Sequence, residues 1–197
     1  MSKLETNTID TISGSTNLTL GGTNATDITI PAGVTITNNG TQSGFGGVNT
    51  PAFEATLSAS QSISQNTWTK LNLNSESFDS DNCYDNSTNY RFTPTTAGKY
   101  FCYGTCYLLG SSGDFFLACR ILKNGNTING AIESSMRVAT DDVLTIQAHS
   151  IVTLNGSSDY VEFWVLQNEY IAGGAYNARG NSSGRQFCNF GAYKIIE

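Results

Sequence analysis

Short segments in which apolar and polar residues alternate dominate the chain from residue 51 onward. A period of two predicts β-strands, because successive side chains of a strand point to opposite faces. No window shows a sustained helical period. The pattern therefore predicts an all-β head, built as a sandwich or jelly roll. The predicted strands are 52–57, 67–73, 90–93, 98–109, 115–123, 126–132, 135–140, 143–152, 160–166 and 187–196.

Turn residues separate these segments, and Asn124-Gly125 is the strongest of the turn signals. A two-residue type I′ turn needs positive φ at both central residues, which Asn and Gly tolerate best. The dipeptide therefore predicts an antiparallel hairpin between strands 115–123 and 126–132.

Two of the predicted strands, 98–109 and 160–166, are apolar on both faces. An antiparallel strand in a solvated monomer normally has one polar face. The second apolar face is covered either by loops of the same chain or by neighbouring subunits, and we favour the subunits. The side chains expected at the subunit interface are Phe101, Tyr103, Tyr107, Tyr160 and Trp164.

Residues 1–50 form a polar leader with small, regularly spaced apolar pairs. Most pairs have i, i+2 spacing, which places both members on one face of a strand. One chain with such small apolar faces cannot offset its ordering entropy. The leader is either a disordered linker or an extended β-stalk in which three chains share one core, and the regular spacing favours the stalk. The pairs are Ile9 and Ile12, Leu18 and Leu20, Ile28 and Ile30, and Val34 and Ile36.

The composition narrows the partners of the protein. The net charge is −6, and no Lys or Arg occurs between Lys3 and Lys70. Nucleic acid is therefore not an expected partner, since phosphate binding needs a basic patch. No stretch approaches the roughly 20 apolar residues of a membrane helix, so membrane insertion is not expected either.

The five cysteines are scattered, and no CxxC pair occurs among them. An odd, scattered set is a poor disulfide framework and predicts buried free thiols rather than a metal or redox site. The first ten residues contain no apolar signal region, so we expect manufacture in a reducing cytoplasm.

Several motifs of the head occur in the order of a known family. They are Pro51-Ala52-Phe53, Phe92-Thr93-Pro94, Gly98-Lys99-Tyr100-Phe101, Leu122-Lys123-Asn124-Gly125, Asp159-Tyr160-Val161 and Phe190-Gly191-Ala192-Tyr193. Together they resemble the globular domain of complement component one-q, in the tumour-necrosis-factor-like jelly-roll superfamily. The last motif departs from the pattern because its Gly comes one place early, and Ser158 stands where a Gly usually precedes the Asp.

This resemblance implies a compact trimer that binds partners rather than performing chemistry. The leader separately resembles N-terminal segments of tailed-phage virion proteins, through runs such as Asn17-Leu18-Thr19-Leu20-Gly21-Gly22. The resemblances imply a trimeric jelly-roll head, residues 51–197, with an N-terminal extended β-stalk or arm, residues 1–50. The leader would attach to other virion proteins, and the protein would be located in the virion.

Candidate catalytic chemistry is sparse. The chain has one histidine, His149, within a strand-like run, and no HExxH, GxSxG or P-loop motif. We therefore predict no enzyme and no catalytic residues, and we expect His149 to be a strand residue with a possible place in an interface.

Oxygen-bearing side chains are concentrated between residues 79 and 86. Asp79, Asp81 and Asp85 could supply carboxylate ligands to a calcium ion. Their spacing does not match an EF-hand, and Asp is also an ordinary turn residue. A solvated loop without a cofactor is the preferred interpretation, and a bound calcium ion is the alternative.

The segment 173–186 combines Tyr176, Arg179 and Arg185 with Gly, Ser and Asn. Such loops are common in recognition surfaces, where rings stack and guanidinium groups form directed hydrogen bonds. We expect either a surface that binds a host glycan or protein, or a surface loop without a ligand.

The functional hypothesis is a trimeric short fibre or spike of a bacteriophage that is attached by its N-terminus and presents the head to the host. The alternative is a capsid decoration or cement trimer whose leader lies across capsid subunits. A glycan-acting enzyme is the second alternative.

Overall fold

The computed structural model describes residues 32–33, 49–109, 115–128, 134–138, 143–169 and 176–195. The chain divides into two units, Met1–Ser43 and Gly44–Glu197, and nearly all described residues lie in the second. Apart from residues 32–33 and 49–50, the predicted stalk lies outside the described residues, and the boundary at residue 50 stays a prediction. No helix in the described ranges is long and apolar enough to cross a membrane.

Two antiparallel sheets form the head, and they pack face to face around a single core. The strands are β1 (Ala52–Thr56), β2 (Gln61–Ile63), β3 (Thr69–Lys70), β4 (Ser75–Asp79), β5 (Tyr84–Asp85), β6 (Arg91–Phe92), β7 (Ala97–Leu109), β8 (Phe115–Lys123), β9 (Asn126–Thr127), β10 (Ser134–Val138), β11 (Leu144–Asn155), β12 (Val161–Glu169), β13 (Tyr176–Ala178) and β14 (Asn189–Lys194).

Sheet A is organised around the long strand β7. Strand β11 runs along one edge of β7, and β14 and β13 pair with the other edge. Strand β1 follows β14, and β4 follows β1, while β2 extends the sheet beyond β13. Sheet B has the order β10-β8-β12-β6-β5, with β9 beside β8 and β3 beside β12.

Aromatic side chains from both sheets fill the core. The Phe53 ring stacks on Tyr84 and Phe92, with centroids 4.5 and 4.7 Å away, and meets the edge of Phe190 at 5.2 Å. Phe163 of sheet B stacks on Phe190 of sheet A at 5.9 Å, so the two sheets share one aromatic stack. These Phe side chains are fully buried, and truncating one of them to Ala costs about 3–5 kcal/mol.

The all-β prediction is confirmed, as are its longest elements. Strand β8 has the predicted bounds, and β7 differs from prediction by one residue. Asn124 and Gly125 have φ of 51° and 73°, so the predicted hairpin turn is confirmed. The predictions missed β2, β4, β5 and β13, which are short or polar. The predicted strand 67–73 was too long, because only Thr69–Lys70 pairs with a neighbour.

Candidate functional site

One row of side chains crosses the face of sheet A that points away from the core. Along this row the backbone partners are His149 on β11, Tyr103 on β7, Gly191 on β14, Glu54 on β1 and Phe78 on β4. Residues paired in this way share one face of a sheet. We call this set the central row, and the face that carries it the outward face of sheet A.

The hydroxyl end of the Tyr103 ring lies over Gly191, and this contact depends on the missing side chain of the glycine. A Cβ at position 191 would stand 2.4 Å from Cζ and Oη of Tyr103. The Tyr103 hydroxyl continues across the row and donates a hydrogen bond to Glu54 Oε2 at 2.9 Å. Burial, followed by this bond to Glu54, raises the pKa of Tyr103, so the ring stays neutral and remains a donor.

A second row beside the central row is more apolar. It consists of Ile151, Phe101, Tyr193 and Ala52 on β11, β7, β14 and β1. The Phe101 ring centroid lies 5.6 Å from Tyr193 and 6.1 Å from Tyr103. The two rows therefore form a continuous aromatic surface, and a groove of about 310 Å³ runs between Phe101, Tyr103 and His149.

Exposed apolar side chains are distributed unequally between the two sheets. Four large apolar residues are exposed among the described residues, and their exposed fractions are 51% for Phe78, 44% for Val143, 60% for Ile151 and 39% for Tyr193. Three of them lie on strands of sheet A, and Val143 directly precedes β11. The outward face of sheet A is therefore the surface where cover from a partner would bury the most apolar area.

Tyr107 continues the outward face at the far end of β7, where it meets one of the predicted ligand residues. Its ring lies 5.0 Å from Phe187, and the Arg179 guanidinium lies 3.9 Å above the Phe187 ring. Arg179 Nη1 also donates to the Tyr107 hydroxyl at 3.4 Å. The structure thus joins a predicted interface residue and a predicted ligand residue in one cluster.

The other two predicted ligand residues are placed differently. The prediction for Tyr176 is corrected, because its ring is fully buried on β13 and presents nothing to a ligand. Arg185 is exposed in a separate turn, where Ser182 and Arg185 exchange two backbone hydrogen bonds. Segment 173–186 is therefore not a single surface, and Arg185 is the exposed member of the predicted set.

Trp164 lies on β12 of sheet B, and Tyr160 directly precedes that strand, so both are away from the β7 aromatics with which they were grouped. Trp164 Nε1 donates to Glu162 Oε2 at 3.0 Å, and Glu162 also forms an ion pair with Lys70 at 3.0 Å. The Tyr160 ring is covered by the Arg91 guanidinium at 4.3 Å.

On sheet B, side chains of the same chain cover these aromatic rings, which was the alternative to cover by a neighbouring subunit. Next to Trp164, the Arg120 guanidinium stacks on Trp68 at 3.8 Å. Sequence reasoning could not detect the contacts of Arg91 with Tyr160 and of Arg120 with Trp68, because their members are far apart along the chain.

The acidic loop uses its carboxylates for its own backbone. Asp85 accepts hydrogen bonds from the backbone N–H groups of Ser87, Thr88 and Asn89 at 2.9–3.1 Å. These bonds, led by the one from Thr88, hold the pKa of Asp85 well below its usual range. Asp79 likewise accepts from the backbone N–H of Tyr84 at 2.8 Å.

The third candidate ligand, Asp81, accepts from the Ser80 hydroxyl at 2.6 Å. Within the described ranges, no three His, Cys, Asp or Glu side chains form a group that could hold a metal ion. All three carboxylates accept hydrogen bonds within the loop, and the solvated loop and the bound calcium ion both stay predictions.

All five cysteines are free and buried, as the sequence predicted. Burial raises the pKa of the Cys102 thiol. Cys188 lies beside Cys106, and the hydrogen bond between them raises the pKa of Cys106. The same hydrogen bond lowers the pKa of Cys188. All five buried side chains form part of the packing of the core.

Comparison with known proteins bears on the fold alone. No protein-family model matches the chain, and no curated protein matches it. The structure of Eiger TNF from S. frugiperda is similar, with a TM-score of 0.50, 11% identity, and coverage of 73% of this chain and 91% of that chain. The head has the tumour-necrosis-factor-like jelly-roll fold. This result confirms the fold that the sequence motifs predicted.

Two further structures are similar at lower TM-scores. The globular domain of zebrafish complement 1qA protein has a TM-score of 0.45 and 16% identity, and the match covers 74% of this chain and 96% of that chain. PRD1 vertex protein P5 has a TM-score of 0.43 and 15% identity, and the match covers 76% of this chain and 99% of that chain.

Proposed function

We propose that this protein is a structural virion protein of a bacteriophage that acts as a trimer. In this proposal residues 1–50 attach the trimer to the particle, and the head forms a short fibre or spike that faces the host. The trimer is inferred from the outward face of sheet A, which bears three of the four exposed large apolar side chains of the described residues.

The energy of covering this face supports self-association. Burying a fully exposed large apolar side chain contributes about 1.5–3 kcal/mol. Phe78, Ile151 and Tyr193 are 39–60% exposed, so covering these three contributes about half of that value each, or roughly 2–5 kcal/mol per chain. A closed trimer covers this face in all three chains, so the total gain is of the same order as the association cost of about 4–15 kcal/mol for each of its two joining steps. The Tyr103 and Phe101 rings, which are half-buried in one chain, add to the gain.

The leader and the thiols support the placement in a virion. The leader resembles phage virion segments and carries very little charge. Five free buried thiols fit a protein that is made in a reducing cytoplasm and assembled there. For the contact with the host, Arg185 is the best placed of the predicted ligand residues, because it is exposed and lies in a tight turn.

Deletion of residues 1–50 distinguishes the fibre from the capsid cement. If the protein is a fibre, the shortened chain remains trimeric and still competes with particles for adsorption to host cells. Arg185→Ala in the shortened chain is the matched variant and should lower this competition. If the protein is a capsid cement, particles that carry the shortened chain should lose capsid stability, and their adsorption to host cells should stay unchanged. Release of reducing ends from host polysaccharide would favour the glycan-acting enzyme and overturn both structural roles.

A further inference from the structure

The central row has a hydrogen-bond acceptor, Glu54, near one edge of sheet A and a potential donor, His149, at the other edge. Glu54 lies on β1, beside the β4 edge of sheet A, and His149 lies on β11 at the other edge. Among the described residues, Glu54 accepts one hydrogen bond, from Tyr103, and has no ion-pair partner. His149 is exposed, with the Phe101 ring 6.1 Å from its own. Both side chains therefore have unused hydrogen-bonding capacity.

Covering the outward face would make this unused capacity costly. A carboxylate removed from water needs a donor or cation to replace the lost hydration. Two β-strands, β7 and β14, separate Glu54 from His149 within one chain, so their Cα atoms are three strand spacings or about 14 Å apart. The two residues cannot contact each other within a subunit.

We propose that His149 of one subunit donates an imidazole N–H to Glu54 of the next subunit, so that the central row continues around the threefold axis. This inference rests on the trimer in the proposed function. A cyclic trimer joins unlike patches of neighbouring subunits, and the two sides of this row are unlike and complementary. The strands of sheet A then run along the axis, which places one row at one height in all three subunits.

The same contact covers the exposed apolar side chains at both edges. Phe78 follows Glu54 in the central row, and Ile151 lies two residues from His149 on β11. Among the large apolar residues that the structure describes, Phe78 and Ile151 have the largest exposed fractions, 51% and 60%. An apolar surround that excludes water from a central polar pair is the usual arrangement of an energetically important contact.

Another basic side chain on β7 fits less well. Lys99 lies four residues from Tyr103 along β7, which is about 14 Å in a strand. It is therefore two rows away from Glu54, whereas His149 is in the same row. His149 is the donor that the register favours.

Engineered cysteines test this contact directly in the full-length protein. Under mild oxidation, Glu54→Cys with His149→Cys should give covalent species of two and three chains on a non-reducing gel. A disulfide needs Cα atoms about 4.4–6.8 Å apart, so it cannot form within one chain across the row. Glu54→Cys with Thr153→Cys is the matched control and should give no such species, because Thr153 is exposed on β11 but lies two rows away.

Light scattering of the same samples under reducing conditions separates the two possible failures. A trimer that gives no cross-links, and whose charge-exchange variants described below lose stability additively, would overturn the proposed contact and leave the proposed function intact. A monomeric wild-type protein would overturn both. Equal cross-linking in the control pair would also count against the contact, because it would mean that position along β11 does not matter.

Charge exchange gives a second test that needs no disulfide. Glu54→Lys alone and His149→Glu alone should each weaken the trimer about tenfold or more, and the double variant should recover most of the loss. Additive losses in the double variant would show that the two residues do not meet.

Discussion

Alanine at Gly104 or Gly191 adds one methyl group to opposite faces of the same sheet. Both glycines are buried in extended strands and are close neighbours, since Phe190 pairs with Gly104 and Gly191 with Tyr103. Neither needs positive φ, so alanine adds no backbone strain. The two substitutions therefore differ only in what the new methyl group meets.

At Gly104 the methyl group meets the core. A Cβ would stand 2.6 Å from two ring carbons of Phe163, a ring that is fully buried against Phe190. Overpacking of this kind costs about 1–3 kcal/mol, and the lower entropy of the unfolded alanine chain returns about 0.4–1 kcal/mol. We expect a net loss of about 1–2 kcal/mol in the free energy of unfolding, or about 2–8 °C in Tm for a chain of this size.

At Gly191 the methyl group meets the far end of the Tyr103 ring, which is half-buried and can move outward. The variant loses the hydrogen bond to Glu54, at about 1 kcal/mol, and regains a similar amount from unfolded-state entropy. The single chain should therefore keep its stability. The trimer should weaken, because the displaced ring disrupts the central row in all three contacts.

Urea unfolding measures the first effect, and light scattering over a dilution series measures the second. Gly104→Ala should lower the unfolding midpoint in the dilute, dissociated sample, and Gly191→Ala should not. Gly191→Ala should raise the protein concentration at which half of the trimer has dissociated. If Gly191→Ala destabilised the dissociated chain as much as Gly104→Ala did, or left the trimer unchanged, the placement of the central row in the interface would be wrong.

Three further predictions concern other parts of the head. Tyr103→Asp should abolish the trimer, as measured by light scattering, because it places a charge in the outward face of sheet A. Trp164→Asp should leave the trimer intact, because Trp164 lies on sheet B. If both variants dissociated, the interface would not be confined to sheet A. Asp85→Ala should lower the free energy of unfolding by about 1 kcal/mol at pH 7. Since folding lowers the pKa of Asp85, its contribution is present above the unfolded pKa of about 4 and is lost at lower pH, so urea unfolding of variant and wild type should converge in acid. The five thiols should resist a thiol reagent in the native protein and all react in denaturant; rapid native labelling would contradict their burial.

The long strands could be predicted because their evidence is local. Alternation over β7 and β8 is visible in a single window, and the Asn124-Gly125 turn follows from backbone sterics alone. The short strands could not be found in this way. Strand β4 reads SESFD and is held by its pairing with β1, so its existence depends on a partner about twenty residues away.

The site was harder to predict than the fold, because its residues come together through register. Glu54 was not a candidate, since only the pairing of β1, β14 and β7 places it beside Tyr103. Tyr176 was a wrong candidate because its Gly-rich surroundings resemble a surface loop, whereas strand β13 buries the ring. Which of two apolar faces is covered by the same chain depends on contacts such as Arg120 with Trp68, which alternation cannot show.

The mass of the full-length protein in solution tests the central claim most directly. Gel filtration with light scattering should give three times the chain mass of 21.1 kDa, and the value should hold on dilution until the outward faces separate. A stable species of 21.1 kDa at every concentration would contradict the trimer.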